Sequence, residues 1–72
     1  MKVITHPTPE QVEEREGTII VARWKSGSLC AFRYHSYSEA WYAIGEETEW
    51  GLNKITKSAV ILAVFIDNPD ME

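Results

Sequence analysis

Two stretches of the chain are dense in β-branched and aromatic residues: Thr18 to Trp24 (Thr-Ile-Ile-Val-Ala-Arg-Trp) and Ser28 to Tyr34 (Ser-Leu-Cys-Ala-Phe-Arg-Tyr). Such composition predicts strands. Lys25-Ser26-Gly27 between them suits a three-residue hairpin loop, with Gly27 in the left-handed conformation. That loop sets Trp24 opposite Ser28 and Ala22 opposite Cys30. Ile20, Ala22, Trp24, Cys30, Phe32 and Tyr34 then share one face, and Ile19, Val21, Arg23, Leu29, Ala31 and Arg33 the other. The first set has more aromatic bulk and is assigned to the core.

The next segment, residues 36–50, is read as a helix. Ser36-Tyr37-Ser38-Glu39 has the form of a capping box, and Gly51 suits the residue just past a helix end. Tyr37, Ala40, Trp41, Ile44, Thr48 and Leu52 fall on one face at 3.6 residues per turn. Gly45 in the middle costs such a helix about 1 kcal/mol against alanine. Residues 53–57 read as a polar link. Residues 58–66 form a third strand, in which Ala59 to Ile66 are apolar on both faces. A strand with a helix on one side and water on the other should alternate. The second face therefore calls for a cover, either the N-terminal segment or another chain. Asp67-Asn68-Pro69-Asp70 ends the strand and begins an acidic tail.

Residues 1–17 are a lead-in. Thr8-Pro9-Glu10-Gln11 is a second capping box, compatible with a short helix stopped by Gly17 or with a solvated acidic segment. Lys2 to Thr5 is a candidate extra strand. The expected fold is one α+β domain over residues 1–72, a two-layer β-β-α-β arrangement with a small, mostly antiparallel sheet packed on one helix. The third strand is placed antiparallel to the first and beside it, in preference to parallel with the second.

Composition narrows the function. The chain has 72 residues, 44% of them hydrophobic and 25% charged, which suits one globular domain. Its apolar runs are too short to span a bilayer as a helix, and the N-terminus lacks the apolar stretch of a secretory signal. The expectation is a cytoplasmic protein without a membrane partner. A single cysteine, Cys30, forms no internal disulfide. It sits on the predicted core face as a small hydrophobe rather than a nucleophile. His6 and His35 have no metal-ligand spacing to another candidate and read as surface or turn histidines. No nucleophile elbow or phosphate loop is present. Neither an enzyme nor a cofactor is expected.

Charge is segregated. Residues 18–35 hold three bases (Arg23, Lys25, Arg33) and no acid, whereas residues 36–51 hold four acids and no base. Three bases on a chain of net charge −4 make a thin footprint for nucleic acid. Arg23, Trp24, Arg33 and Tyr34 could instead clamp a small anion such as a nucleotide, in a homo-oligomer. On the predicted helix, Tyr42 and Trp50 fall off the apolar face beside Glu46 and Glu49. Exposed aromatics ringed by charge are the material of interaction hot spots. Trp50 has a second reading, folded under the Gly51-Leu52 turn as a cap on the core.

In element order alone, residues 18–66 resemble small phage-encoded inhibitors, among them an RNA-polymerase inhibitor and anti-CRISPR proteins. The resemblance implies a protein that covers a binding surface of a host protein, and it carries over no functional residue. The expected function is a non-enzymatic protein-binding module and inhibitor of a host factor, with Tyr42, Glu46, Glu49 and Trp50 as the contact. The alternative is a homo-oligomeric binder of a small anionic ligand through Arg23, Trp24, Arg33 and Tyr34. Either reading admits a homodimer through the third strand.

Overall fold

A computed structural model describes residues 1–67, so the expected acidic tail lies largely outside the described residues. Six strands form one antiparallel sheet: β1 (Lys2–Thr5), β2 (Ile19–Trp24), β3 (Leu29–His35), β4 (Ala40–Ala43), β5 (Glu49–Trp50) and β6 (Ala59–Ile66). Their order in the sheet is β1-β6-β2-β3-β4-β5. One short helix, α1 (Leu52–Ser58), joins β5 to β6. The β2–β3 hairpin has the register its loop dictates: Ala22 lies opposite Cys30, and the Trp24 N–H donates to the Ser28 carbonyl at 2.8 Å. Gly27 holds φ at 99°, where a side chain would be strained. β6 lies beside β2 and antiparallel to it.

The two-layer β-β-α-β expectation is corrected at residues 36–50. No helix forms there; the segment supplies β4 and β5, and the fold is a six-stranded sheet with one short helix. Three local facts oppose the helix. Glu39 and Gly45 hold φ at 52° and 89°, outside the right-handed helical region. The Ser36 backbone N–H and hydroxyl are both taken by Glu16 (2.8 and 3.1 Å), so the expected cap is engaged elsewhere. Pairing with β3 then satisfies an edge that a helix would leave open, through Phe32–Ala43, Arg33–Tyr42 and Tyr34–Trp41. Strand parity replaces helical parity. Trp41 and Ala43 turn inward, while Tyr37 and Ile44, both assigned to the apolar helix face, are 84% and 63% exposed.

The polar link at 53–57 is likewise corrected, because it lies within α1. Seven residues are too few for an independent helix. This one is held by Ile55, fully buried, and by Leu52 packed against the core. The lead-in yields β1 and a single 3-10 turn at Pro9–Gln11, where the Gln11 side chain accepts from the Thr8 N–H at 2.9 Å.

The core lies on one face of the sheet and includes Ile20, Ala22, Phe32, Tyr34, Trp41, Ile61, Val64 and Ile66. Val12 and Ile55 close it from the lead-in and the helix. β2 and β5 are separated by two strands, so a flat sheet would hold them about 14 Å apart at ~4.8 Å per spacing. Yet the Trp24 and Trp50 rings lie 5.5 Å apart, each also packed on Phe32 at 5.9 and 5.5 Å. The sheet is therefore curled, and these three rings join its two limbs across the concave side. Trp41, with no exposed surface, donates its indole N–H to Glu14 at 2.9 Å, which ties the lead-in over the core.

The double-faced apolar run of β6 has a specific cause. Val21 pairs with Ala63 but Ala22 pairs with Ile61, so Leu62 is an extra residue, a β-bulge. Inward positions change parity there, from Ala59 and Ile61 to Val64 and Ile66. The Leu62 carbonyl accepts from His6 N–H at 2.8 Å. β1 pairs along the edge of β6 rather than over its face, and β2 takes the other edge. On the outward face of β6, Val60 is 58% exposed, while Ala63 and Phe65 are half-buried.

Trp50 is part of the aromatic seal, so Trp50→Ala should lower unfolding free energy by about 3 kcal/mol, the lower end for a large aromatic truncation. Urea denaturation measures this directly. The Thr18 hydroxyl is buried without a partner. Thr18→Val removes that unmet group and should raise stability by about 1 kcal/mol in the same assay.

Candidate functional site

The outward side of the β3–β4–β5 limb carries a polar pocket of about 330 Å³ lined by His35, Tyr37, Tyr42, Glu46 and Glu47. Each residue arrives by a local rule. Tyr42 pairs with Arg33 and Glu49, so parity sends all three outward, opposite to Trp41 and Phe32. His35 ends β3, and the turn that follows delivers Tyr37. Gly45, at its positive φ, opens the β4–β5 loop that carries Glu46 and Glu47. The Glu46 N–H donates to the Ala43 carbonyl at 2.9 Å and fixes the start of that loop.

The rings form a chain of edge contacts. Tyr37 meets His35 at 5.8 Å and 63°, and His35 meets Tyr42 at 5.0 Å and 75°. The Tyr42 hydroxyl lies 2.9 Å from a Glu49 carboxylate oxygen and 3.1 Å from the Ser38 hydroxyl. It has one proton, and an ionised carboxylate can only accept. Tyr42 therefore donates to Glu49 and accepts from Ser38. The Ser38 bond works to lower the Tyr42 pKa, but the bond to Glu49, burial and the Glu49 charge outweigh it and hold the phenol above its ordinary value.

Glu16 braces the pocket from the lead-in. Besides holding Ser36, its carboxylate lies 3.7 Å from His35 Nδ1 and 3.9 Å from the Arg33 guanidinium. The Ser36 backbone bond, with smaller help from the Ser36 hydroxyl, His35 and Arg33, keeps its pKa below the ordinary carboxylate value despite some desolvation.

Of the residues expected at a protein contact, Tyr42, Glu46 and Glu49 come together here. Trp50 does not. It turns inward against Trp24 and Phe32, with the Lys54 ammonium 4.6 Å from its ring centroid, which is the core-capping arrangement. His35, Tyr37 and Glu47 were outside the expected contact. Their signal in the sequence is the density of Tyr, His and Glu around two turn-prone segments, Ser36–Glu39 and Gly45–Thr48.

The four residues of the anion alternative are divided by the sheet. Arg23 and Arg33 face outward, whereas Trp24 packs into the aromatic seal and Tyr34, 6% exposed, packs on Trp41 at 5.1 Å. Arg33 lies opposite Ile19, four residues along β2 from Arg23, so the two arginines are about 13 Å apart along the strand. Cys30 is partly buried, its Sγ 3.5 Å from the Ala22 carbonyl oxygen, and desolvation pushes its thiol pKa up. Among the described residues no three His, Cys, Asp or Glu side chains are placed to hold a metal ion. Nor is any helix among them long and apolar enough to cross a membrane.

A second, apolar groove of about 360 Å³ lies between the segment after β1 and α1, lined by His6, Pro7, Pro9, Thr56, Ala59, Val60 and Ile61. No protein-family model, curated protein or solved structure matches the chain.

Glu16 gives the site a pH signature. A carboxylate with a lower pKa folded than unfolded adds stability that is fully present above its ordinary value of 4.5 and lost as pH falls through the lowered one. Wild-type stability should therefore decline across that acid range more steeply than that of Glu16→Gln. Urea midpoints measured at a series of pH values give the comparison.

Proposed function

We propose that the protein is a non-enzymatic binding module whose partner is a protein with a basic surface patch, and that it acts by covering that patch. The observation that supports this reading is the pocket bounded by Tyr37, Tyr42, Glu46 and Glu47. It combines an aromatic side chain 84% exposed with a rim of carboxylates, and Tyr42 and Glu49 extend it across the outward sheet face. Exposed tyrosine is costly to leave in water and well suited to a contact, because it supplies area with little rotamer entropy to lose. The acidic rim gives steering toward positive charge.

The likeness to phage-encoded inhibitors depends on a helix at residues 36–50, which is strand and loop here, so the proposal is based on the pocket instead. Inhibition of a host factor by occlusion remains the form of action proposed. The contact is Tyr37, Tyr42, Glu46 and Glu49, without Trp50.

Tyr37 and Glu46 are exposed and leave the core untouched. Tyr37→Ala and Glu46→Gln should retain the wild-type melting temperature yet each weaken partner binding by about tenfold, as for moderate hot-spot residues. Affinity chromatography followed by calorimetry with the captured protein measures this. Undiminished binding by both variants would move the contact off this face.

A further inference from the structure

We infer that the pocket between the β3–β4 turn and the β4–β5 loop receives a guanidinium group, the side chain of an arginine presented by the protein partner. The inference rests on the binding-module reading and specifies the chemistry of its central contact.

Size comes first. At about 330 Å³ the pocket stands at the low end of ligand sites, which suits one long side chain better than an extended ligand. Charge comes second. Glu46 and Glu47 form no salt bridge among the described residues, and the outward-facing Arg33 lies beside Glu16. Glu49 is engaged by Tyr42. The pocket thus presents two carboxylates outside any ion pair among the described residues, with its one histidine, His35, set against Glu16 instead.

The rings decide between cations. Tyr37, His35 and Tyr42 stand edge-to-face at 63° and 75°, so they make a corner rather than a flat stack. A cation is attracted to a ring face. Guanidinium is planar, sheds water more readily than ammonium, and can lie on a ring while its fork reaches carboxylates at the rim. Ammonium is a more strongly hydrated point charge and uses the rings less well.

The test uses the full chain, isotopically labelled for NMR, with N-acetyl-arginine methylamide as the probe. Its neutral isostere, N-acetyl-citrulline methylamide, and N-acetyl-lysine methylamide are the comparisons. The arginine probe should shift His35, Tyr37, Tyr42, Glu46 and Glu47 saturably at millimolar concentrations. Citrulline should bind about tenfold more weakly or worse, as expected for loss of a charge-assisted contact. Lysine should fall between the two. The Glu46→Gln, Glu47→Gln double variant should weaken arginine binding by a similar factor while the remaining resonances stay in place. Equal binding of arginine and citrulline would overturn the inference. So would shifts centred elsewhere, lysine binding as tightly as arginine, or no saturable shift at tens of millimolar. A protein partner that binds wild type and double variant equally would defeat the inference and leave the binding module standing. Saturable arginine binding with no protein partner captured would overturn the binding-module reading and, with it, a partner's arginine as the occupant.

Discussion

The curl of the sheet is the constraint on which the rest depends. A single antiparallel sheet of this size has too little material to cover its inner face with a second layer. Instead it bends, and Trp24, Phe32 and Trp50 meet where the two limbs approach. Bending turns one face into an enclosed core without a long helix, and on the other face Arg23, Leu29, Arg33 and Val60 stay exposed. α1 and the lead-in then need only to stop the openings, through Ile55 and Val12. The short helix follows from this economy, since Leu52 and Ile55 suffice for a plug.

The lead-in links core and site. Within a few residues Val12 packs into the core, Glu14 satisfies the buried Trp41 indole, and Glu16 holds the turn that presents Tyr37. Residues 12–16 form no regular element, yet their contacts run to both sides of the sheet. The orientation of the pocket is thereby coupled to the closure of the core.

The hairpin and β6 are legible in the sequence because alternation, β-branched composition and Gly27 all point one way. Segment 36–50 misleads because Tyr37, Trp41, Ile44 and Thr48 happen to recur at helical spacing. The opposing signal is physical and partly visible: many aromatic and β-branched residues, and a glycine in the middle. The Ser36 cap is outcompeted by Glu16, a partner twenty residues away that no local rule reveals. α1 is hidden because its stability is tertiary. Tyr42 and Glu49 face away from the buried set under helical and strand parity alike, and Glu46 lies on the loop between them. Trp50 parts from them, because pairing with Trp41 sends it inward.

The bulge at Leu62 bears on how the chain reaches this state. By switching sides in mid-strand, β6 uses eight consecutive apolar residues without a charge or proline among them. Such a segment is a template for assembly between chains whenever its edges are free. In the folded protein β2 runs along one edge, and β1 pairs with residues 63–66 of the other. Those partners lie far upstream, Val3 meeting Phe65 across nearly the whole chain, so their docking is slow in the manner of long-range pairing. Folding is thus a race between closure within one molecule, which ignores concentration, and association between molecules, which grows with it. Dilution favours closure within one chain, and β1 takes part in that closure, with Lys2 on the outermost edge of the sheet.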